Sequence, residues 1–226
     1  MGDRARKSAL FEEFARVGKA LGNGKRLELL DLLSQGERSV ETLASAAGLG
    51  LSTASAHLQA LRQAGLVTTR REGTRIHYNV AGPDVLSLYA LMRSVARKYL
   101  ADVELRRDAY LGLDGTGAED EEVTREDLLA RAAAGSVTVL DVRPSEEYIA
   151  AHIPGALSVQ LDELADRISE LPEDAEIVAY CRGAYCVLAY EALDQLRAHG
   201  RAARRLNEGM LEWRLAGLPT EAGTAA

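Results

Sequence analysis

Ser52-Thr53-Ala54-Ser55-Ala56-His57-Leu58-Gln59-Ala60-Leu61-Arg62-Gln63-Ala64-Gly65-Leu66-Val67 decides the fold of the first half of this chain. Leu58 and Leu61 fall on one helical face, while Ser52, Thr53, Ser55, His57, Gln59 and Arg62 fall nearer the exposed side. Ser52 or Thr53 suits the N-cap, and Ala64-Gly65 ends the helix after Gln63, because glycine accepts the backbone that a helix end favours. Working backward, Gly48-Leu49-Gly50 forces a tight turn, and Ser39 caps a short helix through Ala46 with Glu41 near its positive end. Two short helices joined by a glycine turn make a helix-turn-helix.

Further out, Leu10, Phe11, Phe14, Val17 and Leu21 make one helical face, and Leu27, Leu29, Leu30, Leu32 and Leu33 make another that Gly36 stops. After the quoted stretch, two β-prone runs, ending at Arg71 and starting at Arg75, flank Glu72-Gly73-Thr74 and read as a hairpin. A single long amphipathic helix is expected from about Pro83 to Tyr110. It presents Val85, Leu88, Tyr89, Met92, Val95, Ala96 and Tyr99 and is too apolar to stand without a partner.

Across roughly residues 8–105 this pattern resembles the ArsR-type winged-helix repressors, with the quoted stretch, the wing arginines Arg70, Arg71 and Arg75, and Tyr78 carrying the likeness. The resemblance implies a homodimer, built from the first and last helices of the domain, on a double-stranded DNA operator of two-fold symmetry. Ser52, Thr53, Ser55, His57, Gln59 and Arg62 are the candidates for the major groove, since small hydroxyl and amide groups early in such a helix reach base edges and phosphates. Arg70, Arg71 and Arg75 are candidates for phosphate or minor-groove contacts. Many members sense metals through Cys and His on the third or last helix. Neither helix holds one here, so no metal site and no cofactor are expected.

Gly112-Leu113-Asp114-Gly115-Thr116-Gly117 and the acidic run behind it lack a hydrophobic period and read as a linker. Expected boundaries are therefore a winged-helix domain over 1–111, a linker over 112–122 and a second domain over 123–226. A chain of 226 residues with 47% hydrophobic composition suffices for two cores. Charge divides at the same place. Residues 1–112 hold 17 Lys and Arg against 12 Asp and Glu, whereas the remainder holds 10 against 22, so that the total of −7 conceals a basic half beside an acidic one. No apolar run approaches the roughly 20 residues that cross a bilayer, and nothing near Met1 reads as an export signal; no membrane and a cytoplasmic setting are expected. Both cysteines, Cys181 and Cys186, lie on one segment, so no disulfide framework is expected and any thiol chemistry belongs there.

In the second half, Thr124 caps a helix through Ala134, residues 137–141 make a buried strand, and the strand at 176–180 runs into Cys181-Arg182-Gly183-Ala184-Tyr185-Cys186 before a helix to about His199. Strand, cysteine-led loop and helix N-terminus make an anion cradle. Asp141-Val142-Arg143, His152-Ile153-Pro154-Gly155-Ala156, the cysteine loop, and Glu208-Gly209-Met210-Leu211-Glu212-Trp213 with Ala216-Gly217-Leu218-Pro219 occur in the order that rhodanese domains show, and residues 122–220 resemble that family. The fold class is accordingly two domains. An α+β winged helix-turn-helix, mainly α with a β-hairpin wing, precedes an α/β rhodanese-like domain with a central parallel sheet.

The resemblance implies that Cys181 takes sulfane sulfur from polysulfide, persulfide or thiosulfate and passes it on as a persulfide. The helix N-terminus and Arg182 are expected to lower the Cys181 pKa. Asp141, Arg143 and His152 are assigned to structural support of the active loop. A phosphatase relative needs an Arg after five intervening residues, where Val187 stands, so phosphoryl transfer is disfavoured. Cys186 stands at the loop's sixth position, where a cationic or hydroxyl side chain often helps to hold thiosulfate. It reads either as a thiol that resolves the Cys181 persulfide or as a small hydrophobe beside the helix, and spacing leaves both open. Two functions follow: a DNA-binding regulator, a repressor in the first instance, that senses or carries reactive sulfur on Cys181, or a sulfurtransferase enzyme that the winged helix localises or dimerises.

Overall fold

A computed structural model describes residues 3–113, 122–173 and 175–223. Most of the expected linker, residues 114–121, lies outside them. The chain divides into two compact units, Met1–Met92 and Arg93–Ala226.

The first unit begins with α1 (Arg4–Leu21) and α2 (Gly24–Leu33), followed by β1 (Arg38–Ser39), α3 (Val40–Ala46), α4 (Leu51–Gln63), β2 (Val67–Glu72), β3 (Arg75–Val80) and the start of α5 (Pro83–Tyr99). The strands form one antiparallel sheet in the order β1-β3-β2, with the hairpin turning at Gly73, whose φ of 58° favours glycine. Leu29, Leu30, Leu33, Leu43, Leu58, Leu61 and Tyr78 close the core beneath the helix-turn-helix. Asn23 caps α2, and the Ser39 hydroxyl accepts Thr42 N–H at 3.2 Å to cap α3. A bond from its own backbone amide, and then one from the Ser39 hydroxyl, hold the Glu41 carboxyl below its ordinary pKa.

Two expectations change. Gly50, rather than Ser52 or Thr53, is the N-cap of α4. The chain is already extended at Gly50 (ψ 146°), so the helix starts at Leu51 and leaves both hydroxyl residues exposed in its first turn. The long helix expected from Pro83 to Tyr110 is two, α5 and then α6 (Asp102–Leu111). Arg97 and Lys98 end the first while Asp102 and Glu104 begin the second, charges that favour a C-terminus followed by an N-terminus, and Arg97 Nε donates to Glu104 at 2.8 Å across the break.

Beyond α6 the second unit runs β4 (Glu122–Val123), α7 (Arg125–Ala133), β5 (Val137–Asp141), α8 (Ser145–Ala150), β6 (Leu157–Ser158), α9 (Leu161–Arg167), β7 (Glu176–Tyr180), α10 (Leu188–Ala198), β8 (Ala203–Leu206) and α11 (Met210–Leu215). Its five strands are all parallel, in the order β4-β8-β7-β5-β6. Strand alternation builds two apolar layers: Ile177, Ala179 and Cys181 enter one with Leu140, Leu164, Leu193 and Leu196, and Val178 and Tyr180 enter the other with Val139, Leu128 and Trp213. Cys181 therefore leaves the carboxyl end of the central strand β7, where open α/β sheets place their ligands.

Candidate functional site

The loop between β7 and α10 is held from below. Tyr180, the last residue of β7, donates its hydroxyl to Asp141 Oδ2 at 2.5 Å and accepts Ile153 N–H at 3.1 Å. Asp141 also accepts the Arg143 amide at 3.0 Å and its guanidinium at 2.9 and 2.6 Å, and both side chains are buried. Arg143 Nη2 also donates to Ala151 O at 2.8 Å. His152 stacks on Tyr148 at 3.7 Å, shares its Nδ1 with Tyr148 O at 2.8 Å, and its backbone pairs with Glu221. Asp141 and Arg143 thus meet the strand that feeds Cys181, whereas His152 ties down the C-terminal segment.

From the side, α11 pins the loop's backbone. Met210 N–H donates to Cys181 O and Leu211 N–H to Arg182 O, each at 3.0 Å. A Cβ on Gly209 would lie 2.3 Å from Gly183 N and 2.5 Å from Cys181 O, so only glycine permits that approach. Arg182 turns to Glu147, which is 1% exposed and accepts it at 2.7 and 2.9 Å. Sequence reasoning missed Gly209 and Glu147. An acid three residues after Pro144 on a short helix looks like ordinary surface charge, and a lone glycine before a helix looks like a turn.

Cys181 is 2% exposed, and Cys186 is half-buried. The Cys181 thiol donates toward Cys186 O at 3.4 Å, and Gly183 O lies 3.8 Å from the same sulfur. Burial pushes the Cys181 thiol well up, an effect that the contact with Cys186 reinforces and the backbone bonds at Ala189 and Gly183 only partly offset. The bond from Cys181 lowers the Cys186 thiol, helped by backbone bonds at Arg182 and Leu188 and by the Arg182 charge. The expectation that Cys181 ionises readily is corrected: its desolvation outweighs the amides, Arg182 is directed to Glu147, and Cys186 is the more acidic thiol.

In the first unit, Ser52, Thr53 and Arg62 are exposed on α4, and Ser55, His57 and Gln59 are half-buried. Gln59 donates its amide to the buried Tyr78 hydroxyl at 2.9 Å, bracing α4 against β3. On the wing, Arg70 is held by Glu37 at 2.6 Å and Glu72 at 2.8 Å, Arg71 bonds Gly73 O at 3.0 Å, and Arg75 is exposed. Those arrangements leave Arg62 and Arg75 as the more available cations of this face. No helix among the described residues is long and apolar enough to cross a membrane.

Residues 124–216 match the rhodanese-like domain family, and residues 23–69 match the family of bacterial regulatory proteins of the arsR type. The chain is similar to the HTH-type transcriptional regulator Rv0324 of Mycobacterium tuberculosis, 56% identical over 98% of this chain and 96% of that one. Its second half is similar to a sulfurtransferase of Allochromatium vinosum, 33% identical over 43% of this chain and 92% of the relative. Among solved structures it is similar to the homodimeric winged helix-turn-helix DNA-binding domain of Mb0332 from Mycobacterium bovis, 58% identical over 44% of this chain and 93% of that one, with a TM-score of 0.41. An arsR-type match ahead of a rhodanese-type match, together with a relative alike along nearly its whole length, makes the chain a member of the ArsR family of HTH-type transcriptional regulators that carries a C-terminal rhodanese-like domain.

Proposed function

We propose that the protein is a cytoplasmic, homodimeric repressor that releases its operator when the rhodanese-like domain takes up sulfane sulfur. The observation that carries the reading is the placement of two reduced cysteines on one loop at the carboxyl end of the central strand, with the Cys181 thiol 3.4 Å from Cys186 O. Cys181 gives its proton to solvent as it reacts, since Cys186, the more acidic thiol, is the weaker base of the pair. The Cys181 thiolate then attacks the terminal sulfur of a hydropersulfide R–S–SH, giving Cys181–S–SH and releasing R–S⁻. Cys186, as thiolate, attacks the Cys181 sulfur of that persulfide, and a Cys181–Cys186 disulfide forms as HS⁻ leaves. Any thiol reductant reverses the second product, so the device resets.

DNA recognition rests on α4 and the wing, and the dimer on exposed apolar side chains of α1 that include Leu10, Phe11 and Phe14. The coupling needed between sulfur and operator is about 1–3 kcal/mol, or roughly 5–150-fold in affinity. Polysulfide titrated into an operator-shift assay tests it: the wild type releases DNA and Cys181→Ser does not. Equal affinity of both proteins throughout the titration removes the sensor. The likeness to the Allochromatium sulfurtransferase favours a second reading, a sulfurtransferase for which the winged helix supplies localisation or dimerisation. Steady turnover of donor and acceptor, indifferent to operator DNA, distinguishes it.

A further inference from the structure

Two carboxylates approach the cysteine loop and take no part in the chemistry above. Glu147 on α8 is almost wholly buried, and its two oxygens accept Arg182 Nε at 2.9 and 3.1 Å and Nη2 at 2.7 Å. Glu212 on α11 comes so near Gly183 that a Cβ there would stand 3.0 Å from its Oε2. The same oxygen accepts Gly209 N–H at 3.1 Å, while Oε1 lies 3.5 Å from Arg93, whose guanidinium covers the Tyr185 ring at 4.5 Å. Both guanidinium groups, Arg182 and Arg93, thus meet the loop with their charge already answered by a carboxylate. The sixth loop position carries the Cys186 thiol.

Donors differ in the charge they bring. Thiosulfate reacts as Cys181–S⁻ + S–SO₃²⁻ → Cys181–S–S⁻ + SO₃²⁻, which gathers three negative charges at the loop. An uncharged hydropersulfide reacts as Cys181–S⁻ + R–S–SH → Cys181–S–SH + R–S⁻, which gathers one. A loop whose cations are neutralised stabilises the second assembly far better than the first, because repulsion within a poorly solvated site grows with every added charge.

We propose that Glu147 is a specificity-determining residue: by engaging Arg182 it directs the loop toward sulfane donors of low charge, such as alkyl hydropersulfides, and away from thiosulfate and similar dianions. The inference rests on the reading of Cys181 as sulfur acceptor. It differs from that reading in what it forbids, since a loop with an open arginine serves both donor classes.

Intact-mass measurement of the full-length dimer follows addition of one sulfur to Cys181 from 2-hydroxyethyl hydropersulfide and from sodium thiosulfate. The wild type loads from the hydropersulfide and only slowly from thiosulfate. Glu147→Gln, which leaves Arg182 charged and its partner neutral, speeds thiosulfate loading by about tenfold and changes hydropersulfide loading by less than about twofold. An unchanged ratio of the two rates in that variant overturns the proposal. Salt dependence of the wild type provides a measurement that no folding defect touches: thiosulfate loading does not slow as salt rises, whereas a steep fall reveals an uncompensated cation and overturns the proposal. Equal loading of Cys181 by both donors sinks the selectivity and leaves the acceptor intact. Loading by neither removes the acceptor reading and this inference with it.

Discussion

Replacement of Gly209 by alanine probes the frame on which the loop depends. The backbone there is extended (φ −152°), so an L-residue adopts it without strain and the cost is steric. The new Cβ stands 2.3 Å from Gly183 N, 2.5 Å from Cys181 O and 2.6 Å from Gly183 Cα, where unstrained contacts begin near about 3.5 Å. All three are backbone atoms, so relief requires that α11 and the loop separate by about 1 Å. That separation weakens the bonds from Met210 to Cys181 O and from Leu211 to Arg182 O. Overpacking of about 1–3 kcal/mol, with about 1 kcal/mol for each hydrogen bond, gives a loss of about 3–5 kcal/mol. In urea the midpoint of the second unit's transition falls by about 2 M, and Cys181 becomes open to iodoacetamide in the fraction that remains folded. A midpoint within about 0.3 M of wild type and an unchanged alkylation pattern refute the claim that this approach holds the loop.

Asp141→Asn leaves Arg143 buried without its anion and costs about 3–5 kcal/mol in denaturant unfolding, whereas Asp141→Leu combined with Arg143→Met costs clearly less; equal losses contradict the pairing argument. On the wing, Arg75→Ala lowers operator affinity and reduces the slope of log K against log salt by about 1 in fluorescence anisotropy, while Arg70→Ala, whose side chain Glu37 and Glu72 already hold, changes both less. The order reversed counts against the placement of these cations. Unfolding between pH 7 and 10 reads the buried thiol: the unfolded Cys181 ionises near its ordinary value while the folded one keeps its proton, so the native state binds more protons there and stability falls as pH rises. Cys181→Ser flattens that decline, and a slope no shallower than wild type contradicts the burial effect. Ser39→Ala removes the α3 cap and costs about 1 kcal/mol by urea unfolding, with a loss below about 0.3 kcal/mol denying the cap its role.

Periodicity and punctuation carried much of the architecture. Leu58 and Leu61, the glycines at 48, 65 and 73, and the runs at 137–141 and 176–180 each have a local cause that the chain spells out, and helices and strands stand where those causes put them. Local rules gave way where two were nearly balanced. Gly50 captured the cap from Ser52 because one residue of extended backbone settles a helix start, and the helix from Pro83 divided because charge at both new ends rewards a break that hydrophobic spacing does not register. The candidate site was legible only in its cysteines and its ion pair. Glu147 and Gly209 act through residues 35 and 28 positions away in the chain, and the raised pKa of Cys181 comes from the burial of the strand end, a property of packing that the adjacent Arg182 concealed.

The two amide bonds from α11 fix the backbone of the cysteine loop on that side. A persulfide is bulkier than a thiol by one sulfur, and Cys181 already shares a filled layer with Ala189 and Leu193. With β7 behind it and α11 alongside, the added volume is expected at Cys186 and at the first turn of α10, which begins at Leu188. If the proposed loading occurs, it would strain one helix end sooner than the sheet, and the swelling of a single side chain would become a displacement with a direction.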